Sequence, residues 1–473
     1  MSNFLKYLAF LNVFLIIFII IYEHNDLKKI LLWGILVGIF SLFGFISYII
    51  FGNGLKFNAK QKVMIKQKTA KSYISQTNWY KNYVQENSKI CPLAKKFKSQ
   101  YNFAIWHNND IKIFLNGKDF VDDLISAIKL AKTSINLEFY IFSDDETGKL
   151  IFGELIKKAK QGIKINIIYD ALGSKKASKR FWQKLKNDGI NVCSFFPNAL
   201  NIPYVNFKIN HRNHRKIAII DGKIAYTGGI NLRNDHLGIK THLKPWRDTQ
   251  VKIVGNAVYA LQEIFLNDFA FANNCEYTDE DINLYFPIIS TQGRLQCQII
   301  ESGPEKDVPY IYSIYSTIIS SCKKFLYIQT PYFIINKDMV KLLLDAKKRN
   351  IDIKIMIPNI PDKKIVYGAS LISLKKLIDA NISIYLYNGF IHSKTLCTES
   401  VVSIGTCNFD NRSFFLNFED TCLFYNKPLI GKNKGIFEND IKDSLILTKK
   451  KYNKLKIRNL FLIFIYKIIS QLL

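Results

Sequence analysis

Two short segments carry residue types suited to phosphoryl chemistry. In the first, His214-Arg215-Lys216 is followed by four apolar residues, then Asp221, then Gly228-Gly229-Ile230-Asn231. In the second, His392-Ser393-Lys394 is followed by Thr-Leu-Cys-Thr, then Glu399, then Gly405-Thr406-Cys407-Asn408. From His to Asn is 17 residues in the first segment and 16 in the second. One His-x-Lys alone carries little weight, because a lone histidine on a strand is more often packed or at the surface than catalytic. Two copies in matching places carry much more. On an extended strand residues i and i+2 project from one face, so each copy aims an imidazole and an ammonium at one point. Two such faces suit a phosphodiester, with Lys216 and Lys394 as cations and Asn231 and Asn408 as neutral donors to the non-bridging oxygens. One histidine can attack phosphorus and carry it, while the other protonates the leaving alcohol and deprotonates the incoming one. That chemistry needs no metal or other cofactor. His211 and His214 lack carboxylates or thiolates at ligand spacing, and the adjacent lysines repel a cation.

The elements that must position these motifs occur twice. The strand Ser134 to Phe142, a helical LIFGELIKKAKQ and the strand Ile163 to Asp170 are matched by Lys324 to Phe333, MVKLLLDAKKRN and Ile351 to Pro358. Each set predicts α/β units with a largely parallel sheet, and the repetition predicts a fused duplication. A further helix (Phe181 to Asn187, Leu371 to Ala380) and strand lead to each motif. The first half has a longer connection, Asn198 to Arg212, which reads either as part of a substrate mouth or as a surface loop.

The chain has 473 residues, 48% of them hydrophobic, which excludes disorder and allows two ordinary domains. Its 66 Lys and Arg against 38 Asp and Glu leave a formal charge of +28. A negative partner follows: nucleic acid, an anionic membrane surface or a phosphate-bearing substrate, with general solubility as the bland alternative. Eight scattered cysteines without a CxxC pair disfavour a disulfide framework and fit a reducing, cytosol-facing compartment.

Tyr7 to Tyr22 and Ile30 to Leu55 are uncharged and near the roughly 20 residues that cross a bilayer, which predicts two transmembrane helices. A cleaved signal peptide is the weaker reading, since no small-residue cleavage site follows Tyr22. Lys56, Lys60, Lys62, Lys66, Lys68 and Lys71 after the second run place the remainder on the cytoplasmic side. At the other end, lysines from Lys449 and then Arg458 precede LFLIFIYKIISQLL, which suits a helix in the membrane interface; a core helix of the last domain is the competing reading.

Taken together, the sequence resembles the phospholipase D superfamily and, within it, the bacterial cardiolipin synthases. The resemblance runs along essentially the whole chain. Beyond both His-x-Lys motifs and the paired N-terminal apolar runs, it is carried by LEFYIF (Leu137 to Phe142), YDALGSKK (Tyr169 to Lys176), Asn210 to Asn231 and PWRDT (Pro245 to Thr249). IQTPYF (Ile328 to Phe333), HSKTL (His392 to Leu396) and NRSFFLNFE (Asn411 to Glu419) continue it. It implies an α/β fold of two duplicated phospholipase D-like domains, each a β-sheet flanked by helices, that form one pseudo-twofold site behind two transmembrane helices. The corresponding divisions are a hairpin over 1–56, a basic linker over 57–110, domains over 111–285 and 286–448, and a basic amphipathic tail over 449–473.

The resemblance further implies that His214 is the nucleophile and His392 the general acid and base, with Lys216, Asp221, Lys394 and Glu399 completing the motifs. It also implies that a downstream carboxylate holds each imidazole, Asp248 serving His214 and Glu419 serving His392. Read without the resemblance, Asp248 suits an ion pair with Arg247 or a turn, and Glu419 a sheet edge. Glu399 stands where the family has Asp, and Thr406 where it has Ser. The implied activity is phosphatidyl transfer between two phosphatidylglycerol molecules at the cytoplasmic membrane, with anionic lipids as partners and no nucleic acid. A hydrolase, or a transferase with another acceptor such as phosphatidylethanolamine, uses the same motifs; a membrane-anchored nuclease on the same fold and an inactive scaffold are the further alternatives. Tyr140, Tyr332 and Arg412 line the site or serve packing.

Overall fold

The structure is a computed structural model that describes residues 3–22, 27–51, 91–196, 211–289 and 293–463. Most of the predicted linker, the connection from Asn198 to Asn210 and the end of the predicted tail lie outside these residues.

At the N-terminus, α1 (Asn3–Tyr22) and α2 (Leu27–Phe51) pack as a hairpin around Leu15, Ile19, Trp33, Val37 and Tyr48. The backbone of α2 leaves helical space at Ser41 (φ 48°, ψ −125°), so two shorter helices meet there at a kink. Among the described residues no helix is long and apolar enough to cross a membrane. What the structure does show of the predicted spans is an apolar hairpin that leaves Phe10, Phe14, Ile35, Ile39 and Phe43 exposed.

Beyond the hairpin, each half supplies a matching set of strands. The first half has β1 (Trp106–Phe114), β2 (Ser134–Phe139), β3 (Lys164–Tyr169), β4 (Asn191–Ser194), β5 (Arg212–Asn213), β6 (Lys216–Ile220), β7 (Ile224–Gly228), β8 (Trp246–Arg247) and β9 (Gln250–Gly255). The second has β10 (Leu295–Ser302), β11 (Phe325–Gln329), β12 (Phe333–Ile334), β13 (Asp352–Pro358), β14 (Ser383–Tyr387) and β15 (Phe390–Ile391). It continues with β16 (Thr395–Thr398), β17 (Val402–Gly405), β18 (Phe409–Asp410), β19 (Asn417–Phe424) and β20 (Ser444–Ile446). The helices α3 (Glu146–Lys160), α4 (Lys179–Asn187) and α5 (Val258–Asn273) are matched by α6 (Lys337–Lys348), α7 (Lys364–Asp379) and α8 (Lys427–Lys442).

The halves fuse through antiparallel pairing of β1 with β10, giving one 16-stranded sheet. The expectation of a largely parallel sheet is corrected. Along the main order of the sheet β2–β3–β4 and β11–β13–β14 are parallel, while the strands between them, from β16 through β19, β10, β1 and β9 to β6, run antiparallel. The reason lies in the connections: α3, α4, α6 and α7 are crossovers long enough for parallel return, whereas β6–β7 and β16–β17 are joined by turns of a few residues.

Alternation along the strands sends side chains into cores on both faces. On β6, Ile217 and Ile219 enter a central core shared with Leu261 and Phe265 of α5 and Leu429 and Phe437 of α8. Ala218 and Ile220 enter the first half's own core with Ile151 and Leu155 of α3. A corresponding second-half core gathers Leu343 of α6 and Leu371, Leu374 and Leu377 of α7. The motif strands are thus clamped between packed layers, which fixes where their first residues point.

Candidate active site

The two His-x-Lys segments reach one another through an exchange of short strands. β5, just before His214, pairs in parallel with Asn417 and Phe418 at the start of β19, and β15, just before His392, pairs in parallel with β8. The amide of His214 then donates to the carbonyl of Phe418 (2.9 Å), and that of His392 to the carbonyl of Arg247 (2.7 Å). The residue after each acceptor is a carboxylate. Glu419 Oε2 lies 3.0 Å from His214 Nδ1, and Asp248 Oδ2 lies 2.7 Å from His392 Nδ1.

The expected pairing is therefore corrected: Glu419 holds His214 and Asp248 holds His392. Each half's carboxylate serves the other half's imidazole, because each motif strand is completed by the partner half's segment. The Asp248 carboxylate is fully buried and forms no ion pair with Arg247; the Arg247 guanidinium donates instead to the Asp248 carbonyl and forms an ion pair with Asp440 of α8 (3.0 Å).

The electrostatics follow from this enclosure. Burial opposes ionisation of both carboxylates, yet His392 and Lys394 beside Asp248, and His214 and Lys216 beside Glu419, hold them below the usual range. Burial likewise pulls His214 down to about 4 and His392 well below its ordinary value, so both imidazoles are neutral near pH 7. A neutral imidazole that gives its Nδ1 proton to a carboxylate keeps its lone pair on Nε2.

Lys216 Nζ donates to the carbonyl of His214 (2.6 Å), and Lys394 Nζ to the carbonyl of His392. Burial lowers Lys216 to about 8 and Lys394 to about 7, with the charge of Lys216 adding to the depression of Lys394. His214 also feels Lys394. The four motif side chains thus act on one another across the pseudo-twofold, as one site of two imidazoles and two cations.

Asn231 and Asn408 are both buried at this site. Asn231 Oδ1 accepts from the amide of Ile141 (3.1 Å), while Asn408 Oδ1 is buried without a hydrogen-bond partner. Asp221 and Glu399 are elsewhere, which corrects their expected place among the catalytic residues. Asp221 follows the last residue of β6, about 17 Å from Lys216 along an extended strand. It accepts from the amides of Lys132, Thr133 and Ser134. Glu399 accepts from the amides of Lys323, Lys324 and Phe325 (2.9, 3.2 and 3.5 Å). Both tie the start of a parallel strand to the far end of a motif strand, and the longer Glu side chain reaches the same amides as Asp.

His236 is a contributor that had no sequence signal. His236 packs edge-on against His392 (ring centroids 4.9 Å), lies 3.7 Å from Asp248 Oδ2 and contacts Asn231 through both ring nitrogens. His236, Asp248 and His392 bring three potential metal-ligating atoms within 4.8 Å of one another, with the Lys394 charge set against a cation there. Thr406 donates its hydroxyl to Glu419 Oε2 (2.7 Å). The equivalent position in the first half is Gly229, where a Cβ would lie 1.9 Å from Asp248 Oδ1, so only glycine admits the carboxylate. Arg215 is buried and pairs with Asp268 of α5. Of the three residues expected to line the site or serve packing, Tyr140 packs its ring at a tilt against His214 (centroids 4.9 Å) and Tyr332 donates to Asp362 (2.5 Å). Arg412 lies close enough to Tyr140 to act on its phenol.

A family model described as "Cardiolipin synthase, PLD-like domain" matches residues 124–243 and 315–441, one match in each half. A cardiolipin synthase of Staphylococcus aureus (strain Mu50) is 37% identical over 458 residues, covering 94% of this chain and 91% of that protein. The chain belongs to the cardiolipin synthase family. A cardiolipin synthase of Listeria welshimeri is 35% identical over 456 residues, with 94% of each chain covered. Among solved structures, the phosphatidylserine synthase of Haemophilus influenzae Rd KW20 superposes with a TM-score of 0.60 at 14% identity, over 80% of this chain and all of that one. That likeness is one of fold: the two matched halves of this cardiolipin synthase family member are two phospholipase D-like domains in one chain.

Proposed function

We propose that the protein transfers a phosphatidyl group from one phosphatidylglycerol to a second, giving cardiolipin and glycerol. The observation that carries this reading is the pair of exchanged dyads, His214 with Glu419 and His392 with Asp248, around two buried lysines. His214 Nε2 attacks phosphorus, a P–N bond forms and the P–O bond to glycerol breaks. His392, neutral in the unliganded site, takes up a proton as the phosphodiester anion binds, the imidazolium being held against Asp248, and its Nε2 proton goes to the departing oxygen. In the second step the hydroxyl of another phosphatidylglycerol gives its proton to His392 as its oxygen attacks phosphorus and the P–N bond breaks. Lys216 and Lys394, with Asn231 and Asn408, hold the non-bridging oxygens through both steps. One phosphodiester replaces another, so exclusion of water rather than an energy source decides transfer over hydrolysis.

The uncharged runs and the lysines from Lys56 to Lys71 support a membrane-anchored protein with its catalytic part on the cytoplasmic side. The divisions at 56, 110, 285 and 448 suit that arrangement. The test is to supply purified protein with phosphatidylglycerol alone, without metal or nucleotide, and measure lipids and glycerol by mass spectrometry. Cardiolipin and glycerol in equal amounts are expected. Phosphatidic acid with glycerol and no cardiolipin means hydrolysis and overturns the proposal, as does product only when another acceptor or nucleic acid is added.

A further inference from the structure

We propose that the rim of the candidate active site and the terminal helix beside it form one surface that rests on an anionic lipid leaflet. The proposal rests on the phospholipid reading above and names the face that meets the bilayer.

The loops after the equivalent strands β3 and β13 flank the histidines. In the first, Gly173 approaches Tyr140 so closely that a Cβ would lie 2.2 Å from its carbonyl oxygen, and the Tyr140 ring is the one beside His214. In the second, Asp362 accepts from Tyr332, whose phenol is influenced by Asp410 and Tyr140. The first loop exposes Leu172, Lys175 and Lys176, and the second exposes Lys363, Lys364 and Ile365. Each side of the mouth therefore presents two lysines and one aliphatic side chain to solvent.

The terminal helix extends this surface. α9 (Lys449–Arg458) and the residues after it run antiparallel to α7. Lys449 pairs with Asp379 at the end of α7 (3.4 Å), the Tyr452 hydroxyl donates to Leu371 (3.0 Å), and Ile463 comes against Gly368 near its start. Tyr452, Leu455 and Ile463 are buried in the second-half core, so that face is docked as a core helix would be. The other face leaves Ile457, Leu460 and Phe461 at 74%, 59% and 72% exposure, on the stretch that runs toward the start of α7, where Lys363 to Ile365 lie. Lys450, Lys454 and Arg458 are exposed, and no Asp or Glu occurs from Lys449 to Ile463.

An exposed apolar residue by itself needs no explanation. Aliphatic and aromatic side chains mixed with an excess of cations, with Asp362 as the acidic residue beside Lys363, match the interface of an anionic bilayer: the apolar groups enter the acyl boundary and the cations pair with phosphates. Placed at the mouth, this surface lets a lipid headgroup reach the histidines while its chains stay in the leaflet.

The test uses the full chain. In proteoliposomes of phosphatidylglycerol and phosphatidylcholine, I457S/L460S/F461S should lower turnover about tenfold, through a higher KM in surface mole fraction. In detergent micelles of phosphatidylglycerol the same variant should match the parent. Unchanged turnover in proteoliposomes overturns the proposal, as does an equal loss in both systems. A second measurement does not depend on the reaction: Trp introduced by F461W should gain quenching from brominated phosphatidylglycerol and little from brominated phosphatidylcholine. Absent or equal quenching overturns the proposal even where cardiolipin forms, and selective quenching sustains it even where the transfer reading fails.

Discussion

The imidazole of His214 donates to the carboxylate of Glu419, 205 residues further along the chain and in the opposite half. His392 and Asp248 mirror this over 144 residues. Neither half holds a complete dyad, so fusion of the halves is a condition for a site with two oriented imidazoles. Glu419→Gln and Asp248→Asn keep the shape and remove the charge that sets each tautomer. Each should lower kcat by about 10²- to 10⁴-fold with a small change in KM, measured by steady-state lipid transfer.

The hydroxyl of Thr406 gives a finer probe of the same dyad. Thr406→Val removes the donor to Glu419 while nearly keeping volume, and kcat should fall about tenfold, about 1.4 kcal/mol in the transition state. Thr406→Ser keeps the donor and should stay near the parent rate. A Ser variant as slow as the Val variant means that Thr406 acts by packing alone.

Asp221 and Glu399 should behave as structural residues. Asp221→Ala and Glu399→Ala each remove the acceptor of three backbone amides, one of them partly buried and the others exposed, and should cost about 0.5–1.5 kcal/mol of stability, read as a lower unfolding midpoint. Turnover per folded molecule should be near the parent value. A loss of kcat without loss of stability would place them back in the chemistry.

The lysines predict the alkaline limb of the pH profile. With Lys394 near 7 and Lys216 near 8, the unliganded enzyme sheds cationic charge as pH rises through that range, so kcat/KM should decline there. Lys394→Arg stays charged and should shift the decline upward. The linked stability has a definite sign. The unfolded chain holds these protons to the ordinary lysine value of 10.5 while the folded chain releases them from about 7, so their contribution to stability rises with pH across that window.

His236 should matter to rate more than to binding. It contacts Asp248, His392 and Asn231 without occupying a motif position. His236→Phe should lower kcat about tenfold and leave KM near the parent value, with His236→Gln closer to normal because it still bonds Asn231. Equal effects of both substitutions, confined to stability, would make His236 a packing residue.

Much of this was legible in the sequence for a physical reason. The i, i+2 spacing of His and Lys states which side chains share a face of a strand, and the repeated order of elements states that two such faces exist. Which carboxylate meets which imidazole was not legible, because it depends on β5 pairing with β19 and β15 with β8, and β5, β8 and β15 are strands of two residues with no periodicity to read. His236 was silent for a similar cause: it reaches the site from a single 3₁₀ turn (Asn234–Leu237) that follows the motif. The antiparallel centre of the sheet came from short turns such as that after Asp221, whereas the helix crossovers had suggested parallel strands throughout. Glu399 stood out as a departure from the family's Asp, and its place five residues beyond Lys394 along the strand is what sets it apart from the chemistry.

The central claim is that the phosphatidyl group passes through His214. Rapid quenching of the protein with phosphatidylglycerol labelled at phosphorus, followed by digestion and peptide mapping, tests it directly. The account predicts an acid-labile, base-stable label on the peptide containing His214, absent in His214→Ala and discharged when unlabelled phosphatidylglycerol is added. Label on the His392 peptide, or turnover by His214→Ala, would contradict it.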